Sequence, residues 1–100
     1  MGELAGRKSR ALTQEQVQAI ARALADPRRY EILRQLGAVA DVVQCGRLLG
    51  CVGVSAATLS HHMKELEEAG LVKATRDGKY RNYTLRRDVL TAYLDHMAKI

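Results

Sequence analysis

The amino-acid sequence predicts a mainly α-helical domain with one small β-hairpin. Apolar residues recur at three- and four-residue steps in several segments, and residues that cap helices stand at the ends of these segments. Two strand-like runs, residues 71–75 and 80–85, flank the Asp77-Gly78 pair, and this dipeptide between two strands is a strong hairpin signal. The length of 100 residues fits a single small domain.

The chain begins with a short basic segment. Arg7, Lys8 and Arg10 cluster within residues 1–11. Because a chain end is poorly ordered unless something ties it down, we expect residues 1–11 to be a mobile basic tail. The folded domain is predicted to span residues 12–100.

Two helices are expected in the first third of this domain. Thr13 and Gln16 have the spacing of a capping box, so the first helix should begin at Thr13 and end near Asp26. Asp26 can cap a second helix, and Pro27 suits its first position because the missing amide has no partner there. Gly37 is predicted to end this second helix.

The next two predicted helices are joined by a tight turn at Gly53. Residues 41–49 have the apolar pattern of a short helix, and Ser55 and Gly70 are suited to begin and end a longer one. Two helices connected by a short glycine-containing turn form a helix-turn-helix. The apolar stripe of the longer helix consists of Leu59, Met63 and Leu66.

The opposite face of this longer helix is small, polar and partly cationic. Small side chains let a helix approach a major groove closely, and hydroxyl, imidazole and ammonium groups can meet base edges or phosphates. The same face would also suit an ordinary solvated helix. The candidate DNA-contacting residues here are Ser55, Ala57, Thr58, Ser60, His61 and Lys64.

The predicted hairpin after this helix carries a high density of positive charge. Arg76, Lys79 and Arg81 lie at its tip and on its return strand, where contacts with DNA phosphates are plausible beside a groove-binding helix. A hairpin in this position is a wing, and the fold is then a winged helix-turn-helix with about five helices and two strands. The alternative is a hairpin that serves only solubility.

A last amphipathic helix is expected near the C-terminus. Its apolar stripe has little remaining chain to pack against, so it is a candidate for a subunit interface. Simple packing within the protomer is the alternative interpretation. The stripe consists of Val89, Leu90, Tyr93, Leu94 and Met97.

Several of these segments together resemble the ArsR/SmtB family of winged helix-turn-helix transcriptional regulators. The resemblance rests on Ala-Leu-Ala-Asp-Pro-Arg-Arg at 23–29, Thr-Leu-Ser-His-His-Met-Lys-Glu-Leu at 58–66, Ala-Gly-Leu-Val at 69–72 and Asp-Gly-Lys at 77–79. It implies a homodimer that binds a palindromic double-stranded DNA operator and represses transcription until an inducer releases it. It also implies dimerisation through the first and last helices, with Val17, Ile20, Leu24, Leu90, Tyr93, Leu94 and Met97 as candidate interface residues.

The two cysteines are candidate sensor residues. Metal-sensing members of this family carry a Cys-x-Cys pair, but the matching positions here are Gln44 and Gly46, with Cys45 between them. Cys45 and Cys51 could still bind a soft metal or metalloid or undergo thiol oxidation. They could equally be small apolar residues with no sensing role, which would leave a constitutive DNA-binding repressor.

The family's second metal site, on the last helix, is not expected in this chain. The residues at the matching positions are Arg87 and Val89, so Asp95 and His96 lack the partners that a metal ion needs. His62 lies near the packed side of its helix and is expected to be structural. No metal ligand is therefore assigned.

Composition supports this interpretation and limits the alternatives. The chain has 16 Lys and Arg against 11 Asp and Glu, a net charge of +5 that favours polyanionic partners. Apolar runs are too short for a membrane span or a secretory signal, so a cytoplasmic protein is expected. The sequence shows no phosphate-binding loop or nucleophile paired with a base, which argues against an enzyme. A protein-interaction module remains the second hypothesis.

Overall fold

The computed structural model describes residues 11–39, 43–44 and 53–100. These ranges contain four helices and a three-stranded antiparallel sheet with the strand order β1-β3-β2. The helices are α1 (Gln14–Leu24), α2 (Pro27–Gly37), α3 (Ala56–Glu68) and α4 (Arg87–Ala98), and the strands are β1 (Val43–Gln44), β2 (Val72–Asp77) and β3 (Tyr80–Leu85). The predicted class, mainly α with a hairpin wing, is confirmed. Residues 1–10 lie outside the described ranges, so the mobile tail stays a prediction.

The starts of the first two helices were predicted correctly. The Thr13 hydroxyl accepts a hydrogen bond from the Gln16 amide at 3.1 Å, and the Gln16 side chain accepts one from the Thr13 amide at 2.8 Å. Asp26 caps α2, with Pro27 at its first position. Helix α1 ends at Leu24 with Ala25 as its C-cap, which confirms the predicted end near Asp26. Asp26 itself adopts the extended backbone of an N-cap, with φ −91° and ψ 126°.

Helix α3 has the predicted caps, and its C-terminal cap leads directly into the sheet. The Ser55 hydroxyl accepts a hydrogen bond from the Thr58 amide at 3.2 Å. After the helix, Gly70 has a positive φ of 83°, and the amide of Leu71 donates to the Leu66 carbonyl at 3.0 Å. This Schellman motif turns the chain sharply, so β2 starts only a few residues after α3 ends.

The hairpin turn is tighter than predicted. Strand β2 continues to Asp77, which pairs with Tyr80, so only Gly78 and Lys79 lie in the turn. The predicted link had four residues, 76–79, and the predicted first strand of the hairpin ended at Thr75. A two-residue turn with positive φ at its first position matches the twist of the strands, and Gly78 provides it with a φ of 62°.

The predicted helix over residues 41–49 is wrong at the two positions that can be checked. Val43 and Gln44 form β1 and pair with Tyr83 and Asn82 of β3. The other residues of this segment lie outside the described ranges. The edge of β3 that does not face β2 has backbone N–H and C=O groups that need partners, and β1 provides them. The spacing of apolar residues within 41–49 carries no information about this distant strand. The sheet therefore has three strands rather than two.

The core lies between helices α1 to α3 and one face of the sheet. Leu59, Met63 and Leu66 of α3 are fully buried there, as their spacing predicted. Ile20 of α1 is also fully buried, so its predicted place at the dimer interface is wrong. Helix α1 contacts both α2 and α3, and Ile20 belongs to the core that these helices share. The other core residues include Ala23, Ile32, Leu33, Leu36, Leu71, Val72, Tyr83 and Val89.

Candidate nucleic-acid interface

The outer face of α3 is open to solvent. Its exposed residues are small or polar, while the apolar stripe on the other side is fully buried. A helix that is anchored on one side and covered by short side chains on the other can enter a major groove without a backbone clash. The exposed predicted contact residues are Ala57, Ser60, His61 and Lys64, and Thr58 is half-buried.

Ser55 has a structural role at the start of this helix. Its hydroxyl accepts from the Thr58 amide and also donates to the Thr58 hydroxyl at 3.0 Å. The hydroxyl groups of Ser55 and Thr58 are therefore both used in closing the first turn of the helix. Ser55 is exposed, and its predicted contact with DNA stays a prediction.

The register of the wing decides which of its side chains are directed towards α3. Residues that pair across two antiparallel strands lie on the same face, and faces alternate along each strand. Val72 pairs with Leu85, and two residues further along Ala74 pairs with Tyr83, on the face that packs against the core. The next pair on this face is Arg76 with Arg81. The inner face of the wing thus changes from apolar to cationic where the core ends.

Arg81 of the wing lines the same cleft as residues on the outer face of α3. It lines an open cleft of about 370 Å³ together with Ser60 and Lys64, and the acidic residues Glu67 and Glu68 line the same cleft. Arg81 and Lys64 were predicted on different elements, the wing and the groove-binding helix. The structure brings them to one place, where they can approach the same stretch of a phosphate backbone.

The cations of this surface form no direct ion pair within the described residues, although Glu67 and Glu68 line the same cleft as Lys64 and Arg81. Arg76 and Arg81 stand directly opposite each other, an arrangement that destabilises a strand pair. In the described part of the chain, ion pairs join Arg34 to Glu31, Arg86 to Asp88 and Lys99 to Asp95, and none involves Lys64, Arg76, Lys79 or Arg81. An unfavourable group of unpaired cations is expected where a polyanion completes the site.

The wing tip carries an aromatic residue that the sequence analysis did not select. Tyr80 is half-exposed, and the Lys79 ammonium lies 5.6 Å from the centre of its ring. Only a turn made of Gly78 and Lys79, and not one made of Asp77 and Gly78, gives the pairing of Arg76 with Arg81, because hairpin register follows from the turn residues.

His62 is buried at the junction between α3 and α2. It is only 5% exposed, and burial away from water lowers its pKa, so the imidazole is neutral at neutral pH. This location agrees with the expected structural role. In the described ranges, no three His, Cys, Asp or Glu side chains are grouped so that they could hold a metal ion.

The remaining predicted residues divide between the protomer surface and the undescribed segment. Leu94 and Met97 of α4 are exposed, so they are accessible to a second subunit. Cys45 and Cys51 lie outside the described residues. The other interface candidates, Val17, Leu24, Leu90 and Tyr93, are half-buried.

No helix in the described ranges is long and apolar enough to cross a membrane.

Comparison with known proteins agrees with this geometry. A helix-turn-helix domain family matches residues 24–74. A Staphylococcus xylosus arsenical resistance operon repressor is 33% identical over 84 residues, which cover 79% of this chain and 74% of that protein. A Halobacterium salinarum protein, provisionally named an arsenical resistance operon repressor, is 37% identical over 75 residues, covering 73% of this chain and 58% of its own length.

A solved structure extends the similarity to the fold. The homodimeric winged helix-turn-helix DNA-binding domain from Mycobacterium bovis matches with a TM-score of 0.69 and 30% identity, covering 85% of this chain and 80% of that one. Such proteins regulate transcription and are not enzymes. The chain belongs to the ArsR family of winged helix-turn-helix transcriptional regulators.

Proposed function

We propose that this protein is a homodimeric repressor that binds a palindromic DNA operator, with α3 in the major groove and the wing on the flanking phosphates. The observation that carries the proposal is the surface on which Lys64 of α3 and Arg81 of the wing meet, with Arg76 beside Arg81. These cations lie beside the small, polar face of α3. A duplex presents phosphates beside base edges, which is the complement of this surface.

Dimerisation would let the repressor contact both half-sites of a palindromic operator at once. A two-fold axis places two copies of α3 in half-sites about 34–36 Å apart, one helical turn of the duplex. The exposed apolar residues of α4 provide a surface for the second subunit, and the homodimeric Mycobacterium bovis domain supports this assembly. We place the repressor in the cytoplasm, where bacterial or archaeal DNA is found.

Replacement of Lys64 and His61 tests the orientation of α3. We expect Lys64→Ala to weaken binding to all sequences and to reduce the slope of log affinity against log salt by about 1.8, since each protomer of the dimer loses one phosphate contact. His61→Ala should in addition relax the preference for the operator over other duplexes. Fluorescence anisotropy with a duplex from the chain's own promoter region, over a series of salt concentrations, measures both quantities.

Lys99→Ala is the matched control for this experiment. Lys99 is an exposed lysine at the C-terminal end of α4 and is paired with Asp95 at 3.4 Å. Its replacement should leave the salt slope unchanged. Equal slopes for Lys64→Ala and the unmodified protein would show that α3 is oriented differently, and salt-sensitive binding to no duplex at all would favour a protein-interaction module.

We further propose that an inducer acts on the thiols of Cys45 and Cys51. The support comes from the relatives named as arsenical resistance operon repressors, because arsenite is a soft metalloid that thiolates bind. Arsenite, zinc, peroxide and a persulfide donor should each be titrated into the protein–DNA complex. Release that is lost in Cys45→Ser and Cys51→Ser is the expected result. A complex that stays intact with every one of these reagents would instead indicate a constitutive repressor.

A further inference from the structure

One guanidinium group joins the first three helices of the domain. The Arg29 side chain, near the start of α2, donates from Nε to the Ala23 carbonyl at 2.7 Å and from Nη2 to the Arg22 carbonyl at 3.4 Å. Both carbonyls belong to the last turn of α1. The third nitrogen, Nη1, lies 3.2 Å from Nδ1 of His62 on α3. Arg29 is therefore held by α1 and makes one hydrogen bond to α3, the recognition helix that we propose enters the major groove.

The chemistry of this bond fixes the protonation state of His62. A guanidinium only donates hydrogen bonds, so Nδ1 must accept and therefore carries no proton. The neutral imidazole then has its proton on Nε2, which is buried without a hydrogen-bond partner in the described structure. Protonation of Nδ1 would remove the acceptor and place an imidazolium next to the guanidinium. The contact can thus exist only with a neutral ring.

The surroundings of His62 favour the neutral ring on balance. Burial lowers the pKa of His62 most strongly, and the cations Arg29 and Arg28 of α2 and the neighbouring His61 of α3 lower it further. The carboxylate of Asp26, between α1 and α2, acts in the opposite direction. Since the folded protein binds this proton less readily than the unfolded chain, stability is retained above the ordinary histidine pKa and declines as the pH falls below it.

We propose that Arg29 and His62 form a proton-sensitive joint that holds the recognition helix at the angle needed for the groove, and that acid releases DNA by opening this joint. The inference rests on the proposed function of α3. Arg29 and His62 touch no DNA in this scheme and act as positioning residues. The joint can control the angle because it connects the buried side of α3 to α1 and α2, against which α3 packs.

The neighbouring histidine has the opposite effect and must be removed to observe the joint. His61 is exposed on the outer face of α3, so its protonation would add a positive charge next to the phosphates and strengthen binding. The experiment therefore compares His61→Gln with the double variant His61→Gln/His62→Gln. In the double variant, the glutamine oxygen at position 62 can still accept from Arg29, but the side chain does not titrate.

Duplex affinity should be measured for both variants from about pH 7.5 to about pH 5.5. We expect the affinity of His61→Gln to fall about tenfold over this range, which is the order expected when the two His62 side chains of the dimer each bind a proton with a pKa below the ordinary histidine value. The double variant should stay nearly constant. Arg29→Lys should lower affinity at all pH values, because an ammonium cannot contact the α1 carbonyls and His62 together. Identical pH profiles for the two glutamine variants would overturn the proposal.

A measurement on the unmodified protein without DNA separates this inference from the proposed function. Nitrogen chemical shifts of the His62 ring should show the Nε2-protonated tautomer at neutral pH and its loss in acid, before the fold melts by circular dichroism. If no duplex binds at any pH, the proposed function fails while the ring shifts still report on the joint. A proton on Nδ1 of His62 at neutral pH would refute the proposed contact with Arg29, even if the unmodified protein binds DNA.

Discussion

Replacement of Leu94 by aspartate is expected to separate the dimer into folded monomers and to lower operator affinity by about 10²–10⁴-fold. Leu94 is 57% exposed on α4, close to the exposed Met97. A carboxylate there would have to lose its hydration inside an apolar contact between subunits, which costs several times more than the leucine contact contributes. Each monomer would then hold one half-site without the second binding event that gives the dimer its avidity.

Tyr30→Asp is the matched control for this prediction. Tyr30 is also a large side chain with 57% exposure, but it lies on α2, outside the predicted interface. Sedimentation equilibrium and thermal melting should show a monomer for Leu94→Asp and a dimer for Tyr30→Asp, with both variants folded. A dimer that persists in Leu94→Asp would remove α4 from the interface, and a monomer in both variants would show that the interface includes α2.

Replacement of both Arg76 and Arg81 by alanine should change stability and DNA affinity in opposite directions. Removing two like charges that face each other across the hairpin should stabilise the fold by about 0.2–1 kcal/mol. Each protomer would lose two charge-assisted phosphate contacts, so the dimer would lose four. At about 1.4 kcal/mol each, this should reduce operator affinity on the order of 10⁴-fold. The slope of log affinity against log salt should decrease by about 3.6, since four phosphate contacts are lost in the dimer.

Urea unfolding and anisotropy titrations of the same samples measure the two effects together. Arg34→Ala is the matched control, since Arg34 is exposed but paired with Glu31 at 3.0 Å, and its loss should leave the salt slope unchanged. An unchanged slope in the Arg76→Ala/Arg81→Ala variant would show that the wing does not contact phosphates. The opposite signs also exclude simple unfolding as the cause of weaker binding.

Local signals predicted most of the secondary structure because their causes lie within a few residues. The capping box at Thr13 and the Asp26-Pro27 helix start involve side chains and amides no more than three positions apart. The same is true of the Ser55 cap. The helix at residues 41–49 was predicted wrongly because Val43 and Gln44 pair with the distant strand β3, which the local sequence does not encode. The four-residue hairpin link was predicted too long because Asp77 pairs with Tyr80 and extends β2 into it.

The amino-acid pattern was sufficient to predict the features of the candidate site: a helix with a small, polar outer face, a basic wing and an amphipathic last helix. It could do so because periodicity separates buried from exposed faces of a helix without knowledge of what covers them.

Which residues meet in space follows from the packing of the helices and strands. This packing placed Arg81 beside Lys64, buried Ile20 inside the protomer and set Arg29 against His62, which is 33 positions away. Contacts over such distances depend on how helices and strands pack as rigid units, and no pattern of neighbouring residues specifies that packing.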